Sequence, residues 1–136
     1  MDDATKRTVI HVRLDKAHDD LGMARELLKV QGWRGAVNRA YYTIFHVATA
    51  ALLWLDVERV RHSAVQASFN EFLVKPGLIE VEYGRLYRTA REWREEQDYS
   101  DVARALDEPT ATQIVNDAER FVVRLERYLR EAGAIE

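Results

Sequence analysis

The stretch "AVNRAYYTIFHVATAALL", residues 36–53, carries one arginine, one histidine and no acid. At about 100° per residue, Trp33, Val37, Ala40, Tyr41, Ile44, Val47, Ala48, Ala51, Leu52 and Leu55 share one broad face of a helix, which reads as the core face. Gly35, Arg39, Tyr42, Thr43, His46, Ala50 and Leu53 fall on the opposite face. That second face holds small, aromatic and apolar residues where a surface helix would be charged. A helix apolar nearly all round is covered on both sides, and in a small bundle the second cover is most simply another protomer. A homodimer seam along this face is therefore expected.

On either side of this segment the same helical spacing recurs. One helix is expected from about Arg7 to Val30, the central one from Trp33 to Asp56, and a third from Val60 to Val74. A fourth is expected over Ile79 to Glu96, and a fifth opens at Pro109, a favoured first-turn residue, and continues to Gly133. "QGW" and "KPGL" punctuate the chain, and no alternating run of strand length is present. The fold class is all-α: a single domain, residues 1–136, forming an up-down bundle of four or five helices.

The totals narrow the chemistry. With no cysteine there is no disulfide, thiolate zinc site or thiol nucleophile. His11 and His18 share a face without convergent ligands, so neither a metal nor a cofactor is expected. A net charge of −3 means that any RNA contact must come from a local basic cluster. The acidic N-terminus and the lack of a long apolar run point to a cytoplasmic protein with no membrane partner. No glycine-rich phosphate loop or serine nucleophile elbow is found.

Arg39 and His46 are two helical turns apart and project from the same side. For phosphodiester chemistry the pair is apt. A histidine can take the proton of a ribose 2′-hydroxyl, and a guanidinium can fork the phosphate oxygens as charge builds. For such chemistry RNA would be the substrate, because its 2′-hydroxyl is an internal nucleophile and no metal is needed. The same two residues also suit an interface ion pair or hydrogen-bonded packing.

Three stretches in order, "AVNRAYYTIFHVATAALL", "RHSAVQASFNEFLVKPGLIE" and "LYRTAREWREEQDYSD", resemble the HEPN domain family over about residues 15 to 130. The resemblance implies a dimerising helical bundle, often encoded beside a minimal nucleotidyltransferase as a toxin and antitoxin pair. It also implies metal-independent ribonuclease activity through an arginine and a histidine with four to six residues between them, a formula that Arg39 and His46, separated by six, satisfy. The ribonuclease members usually carry that motif later in the chain. Here the later region offers Arg91 or Arg94 with Asp98 in the histidine's place, and aspartate is a poor general acid near neutral pH. Some toxin members are adenylylated on a tyrosine two residues after the motif histidine. Ala48 stands at that position, and Tyr99 is an available hydroxyl elsewhere. The alternative is a non-catalytic module that holds a nucleotide or docks a nucleotidyltransferase.

Other residues complete the candidate set. Tyr42 and Thr43 line the face of the Arg39–His46 pair. His62 opens the third helix, where Ser63 can cap it or Arg61 and His62 can meet a phosphate. Arg85, Arg88, Arg91 and Arg94 form a stripe that either tracks a nucleic-acid backbone or pairs with Glu92, Glu95 and Glu96, and Arg120, Arg124 and Arg127 repeat the choice.

Overall fold

The computed structural model describes residues 1–136 and contains helices without strands. Helix α1 spans Asp3–Lys29, α2 Trp33–Trp54, α3 His62–Phe69, α4 Val81–Tyr99 and α5 Glu108–Glu131, and a π-helical turn, Asn70–Val74, continues α3. None is long and apolar enough to cross a membrane.

Local chemistry sets the ends. Asp2 and Asp107 cap α1 and α5, accepting from the backbone N–H of Thr5 at 2.8 Å and of Thr110 at 3.0 Å. The caps start α1 at Asp3 and α5 at Glu108, so Pro109 sits in a first turn where its missing N–H breaks no helical bond. The break after α1 is made by Gln31 in the left-handed region at φ 61°, one residue ahead of the glycine expected to make it. Helix α4 runs three residues beyond Glu96, supported by i,i+4 pairs of Arg91 with Glu95 and Arg94 with Asp98. Gly84 lets α4 lie close on the π-turn, where a Cβ would stand 2.7 Å from Asn70 Oδ1.

Helix α2 lies at the centre, packed most extensively on α1, then on α5 and α4. Lys6 Nζ donates to the Trp54 carbonyl at 3.3 Å and to Asp56 at 3.0 Å, which fixes α1 antiparallel to α2. This packing corrects the source of the second cover. Thr43 and Ala50 are fully buried, and Thr43 Oγ1 donates to the Ala17 carbonyl of α1 at 3.2 Å. At Thr43, Ala50 and Leu53 the second cover of α2 is supplied within one chain, whereas Gly35 and Arg39 on the same face stay partly exposed. Tyr42 and His46, at the edge of the seam, stay partly exposed.

Candidate functional site

Arg39 and His46 converge on one carboxylate. Asp20 Oδ1 accepts from Arg39 Nη1 at 2.9 Å, and Asp20 Oδ2 lies 3.4 Å from His46 Nε2. Asp20 is buried in the stripe of α1 that otherwise holds Ile10, Leu14, Ala17, Leu21 and Ala24. Burial raises its pKa against the opposing pull of Arg39.

The other imidazole nitrogen faces a cation: Arg13 Nη1 is 3.1 Å from His46 Nδ1. A guanidinium only donates, so Nδ1 supplies the lone pair and the neutral ring carries its proton on Nε2, toward Asp20. His46 is pushed down to about 4 by burial first, and then by Arg13, Lys16 and Arg39. At neutral pH it is an uncharged imidazole.

Tyr42 joins this group to α4. Its ring is in cation–π range of two guanidiniums, Arg39 at 5.1 Å and Arg94 at 5.3 Å from the ring centre. Arg94 is almost wholly buried and also lies over Tyr41 at 4.9 Å and Tyr99 at 5.8 Å. Its hydrogen bonds are long, 3.4 Å to the Tyr42 hydroxyl and 3.5 Å to that of Tyr99. Its Nε stands 3.3 Å from Asp98. Asp98 also accepts from Asn38 Nδ2 at 3.3 Å and from Arg34 Nε at 3.4 Å, while Asn38 Oδ1 accepts from Arg39 Nη2 at 2.7 Å. One continuous network therefore runs from Arg13 through His46, Asp20, Arg39, Asn38 and Asp98 to Arg94. In it four guanidiniums meet two carboxylates, which leaves positive charge to attract an anion.

The HEPN domain family model matches residues 10–128, nearly the whole bundle. The chain belongs to the HEPN domain family. It is 35% identical over 128 residues to a Methanocaldococcus jannaschii protein named "putative toxin", a match covering 92% of each chain. A Thermotoga maritima protein named as a UPF0332 protein is 31% identical over 126 residues, covering 93% of this chain and 95% of its own. A second Methanocaldococcus jannaschii "putative toxin" is 25% identical over 116 residues, 85% of this chain and 78% of its own.

In this HEPN bundle the candidates named from sequence separate into groups. Arg39, Tyr42, His46, Arg94 and Asp98 belong to the network, and Tyr99 reaches it from an exposed position through its hydroxyl. Thr43 is sealed in the α1–α2 seam, with no surface for a ligand. His62 packs its ring 4.4 Å from that of Phe45, with Nδ1 3.0 Å from the Tyr41 hydroxyl. Burial, followed by Arg94 and Arg91, pushes its pKa down. Ser63 does not cap α3, because Arg61 occupies the cap position and no side chain bonds the first turn. Arg91 turns toward α3, donating to Gln66 at 2.7 Å and to Glu95 at 2.8 Å.

Sequence reasoning missed Arg13, Asp20, Arg34 and Asn38. For Asp20 a signal existed: an acid three residues after Ala17 falls within the apolar stripe of α1, where a buried carboxylate needs a partner.

Proposed function

We propose that this HEPN protein is the toxin component of a toxin and antitoxin pair and cleaves RNA as a metal-independent endoribonuclease. The observation that carries the reading is the convergence of Arg39 and His46 on Asp20 beside a surplus of guanidiniums. A pair that only packed a core would not gather unneutralised cations at a partly open edge. The names of the two Methanocaldococcus jannaschii relatives support the toxin part of the reading.

In the proposed reaction Arg39 forks the non-bridging phosphate oxygens. Its bonds to Asp20 and Asn38 occupy one hydrogen of Nε and one of each Nη, which leaves one free on each Nη. His46 takes the proton of the 2′-hydroxyl at Nδ1 once Arg13 has turned to the phosphate. The 2′-oxygen bonds to phosphorus, the bond to the 5′-oxygen breaks, and the leaving 5′-oxygen takes a proton from water, whose hydroxide recovers the proton held by His46. The products are a 2′,3′-cyclic phosphate and a 5′-hydroxyl. Asp20 stabilises the imidazolium between these steps.

The reading includes a homodimer and a minimal nucleotidyltransferase as antitoxin, both of which the family resemblance implies. A second reading has its own observation. Arg13 occupies the one imidazole lone pair, which suits a non-catalytic module that holds a nucleotide or docks a nucleotidyltransferase. The test is cleavage of labelled structured RNA by the full chain in EDTA. His46→Ala should slow it at least 100-fold, within the ordinary range for a general base. Equal cleavage by His46→Ala would remove His46 from the mechanism, and no cleavage by folded wild type would favour the binding module.

A further inference from the structure

Past His46, the groove between α1 and α2 opens into a cavity of about 470 Å³, within the range of small-ligand sites. Its walls are Val9 of α1, Leu53 near the end of α2, Val57 just beyond that helix, and Ala64 of α3, and its rim carries Arg13, Arg59 and Arg61. Thr49 and Leu53 follow His46 on successive turns of α2, so the cavity continues the edge that holds the network.

Most of the arginines that lack a carboxylate within ion-pair distance stand here. Most arginines stand within ion-pair distance of a carboxylate, including Arg25, Arg88, Arg104, Arg120 and Arg124. At this rim none does. The Arg13 side chain bonds only the His46 ring, that of Arg59 donates to the carbonyl of Glu58 at 2.8 Å, and the Arg61 guanidinium has no hydrogen-bond partner. Glu58 is the one acid in the lining. Val60, an apolar side chain 90% exposed, stands at the mouth. Unneutralised guanidiniums around an apolar slot match a ligand that is anionic at one end and flat and weakly polar at the other.

We propose that this cavity is a nucleotide subsite: a base lies against Val9, Leu53, Val57 and Ala64, and its phosphate is held by Arg13 and Arg61. The choice of an RNA nucleotide as ligand rests on the ribonuclease reading, and the subsite would hold a nucleotide beside the one whose phosphate is cleaved. Arg13 is common to both places. A phosphate is a stronger acceptor than an imidazole nitrogen, so occupancy of the subsite draws Arg13 away from His46 Nδ1 and exposes the lone pair the reaction needs.

The experiment is titration of the full chain with adenosine 5′-monophosphate, and separately with inorganic phosphate, followed by the methyl resonances of Val9, Leu53 and Val57. The nucleotide should shift all three, whereas phosphate at the same concentration should leave them in place. Arg61→Ala, an exposed loop change, should weaken nucleotide binding at least fivefold. Ala64→Phe, which fills the slot, should abolish the methyl shifts while leaving the fold intact by circular dichroism. Methyl shifts confined to other residues, equal responses to phosphate and nucleotide, or undiminished binding by Arg61→Ala would each overturn the subsite. His46→Ala, which frees Arg13 from its ring partner, should bind the nucleotide at least as tightly as wild type. Failure of the cleavage reading, with binding retained, is thereby separated from failure of the subsite.

Discussion

Two regions of the bundle are rich in arginine, and they use it differently. Along the outer faces of α4 and α5 most arginines have an acid of their own: Arg88 with Glu92 at 3.8 Å, Arg91 with Glu95 at 2.8 Å, Arg120 with Glu82 at 2.8 Å and Arg124 with Glu80 at 2.6 Å. Along the α1–α2 edge Arg39 shares Asp20 with a histidine, and Arg13 bonds a neutral ring. The first pattern is a locally neutral surface, whose pairs are individually weak and screened by salt. The second leaves cations without acids and holds a largely buried imidazole and a buried carboxylate at their centre. What identifies a candidate site is therefore the partner of each arginine, since most members of the arginine stripes visible in the sequence are neutralised and Arg94 is the one that joins the network.

The largest expected difference between the regions is in acid. His46 has an ordinary pKa of 6.5 when unfolded and about 4 in the bundle, so between those values the unfolded chain binds the proton more tightly. Its contribution is complete above pH 6.5 and is lost as pH falls toward 4, a loss on the order of 3 kcal/mol. His62, also pushed down, acts in the same sense. Asp20 acts oppositely, because its raised pKa means that the folded chain takes up a proton more readily than the unfolded one as the pH falls. Urea unfolding midpoints between pH 7 and 5 should therefore drop steeply for wild type and less for His46→Gln. Parallel curves would mean that the imidazole is solvated and the contrast between the regions is overstated.

Asp20→Asn keeps the shape at the centre of the network and removes its charge. Weakening a charge-assisted bond to Arg39 should cost about 1–2 kcal/mol in chemical unfolding, and RNA cleavage should fall by roughly tenfold or more. Thr43→Val should cost about 1 kcal/mol for the lost bond to the Ala17 carbonyl, with cleavage unchanged. A cleavage defect in Thr43→Val would show that the seam itself, and not only its open edge, takes part in function.

The all-helical class and the five helices were legible because apolar residues recur at helical intervals and Pro76, Gly77 and Pro109 punctuate them. The identity of the second cover on α2 was not. An amphipathic pattern reports that a face is buried but is silent on whether the burying surface comes from the same chain, and α1 supplies it here. The site was half legible. Arg39 and His46 share a helix, so spacing alone aligns them, whereas Asp20 meets them only because α1 runs antiparallel to α2. Arg94 and Asp98 could be named from the sequence, yet their link to Arg39 passes through Asn38, which no spacing on α4 reveals. Long-range partners of this kind are set by packing.

The smallest expected effect tests the other side of the comparison. Arg120 has two carboxylates, Glu82 at 2.8 Å and Asp117 at 3.3 Å, and by distance alone it is better paired than Arg39. Its side chain is 52% exposed, so both partners and the guanidinium regain water when the pair is broken, and only the modest difference between two solvated states is lost. Arg120→Ala should therefore shift the unfolding free energy by less than about 0.5 kcal/mol and leave RNA cleavage within about twofold of wild type. Added salt should shrink even that small change, whereas the acid-linked loss at His46 should persist, because a buried ring is shielded from the ions that screen the surface. A large effect at Arg120 would make burial the wrong criterion and pairing distance the right one, and the search for the site would then move to the α4–α5 face.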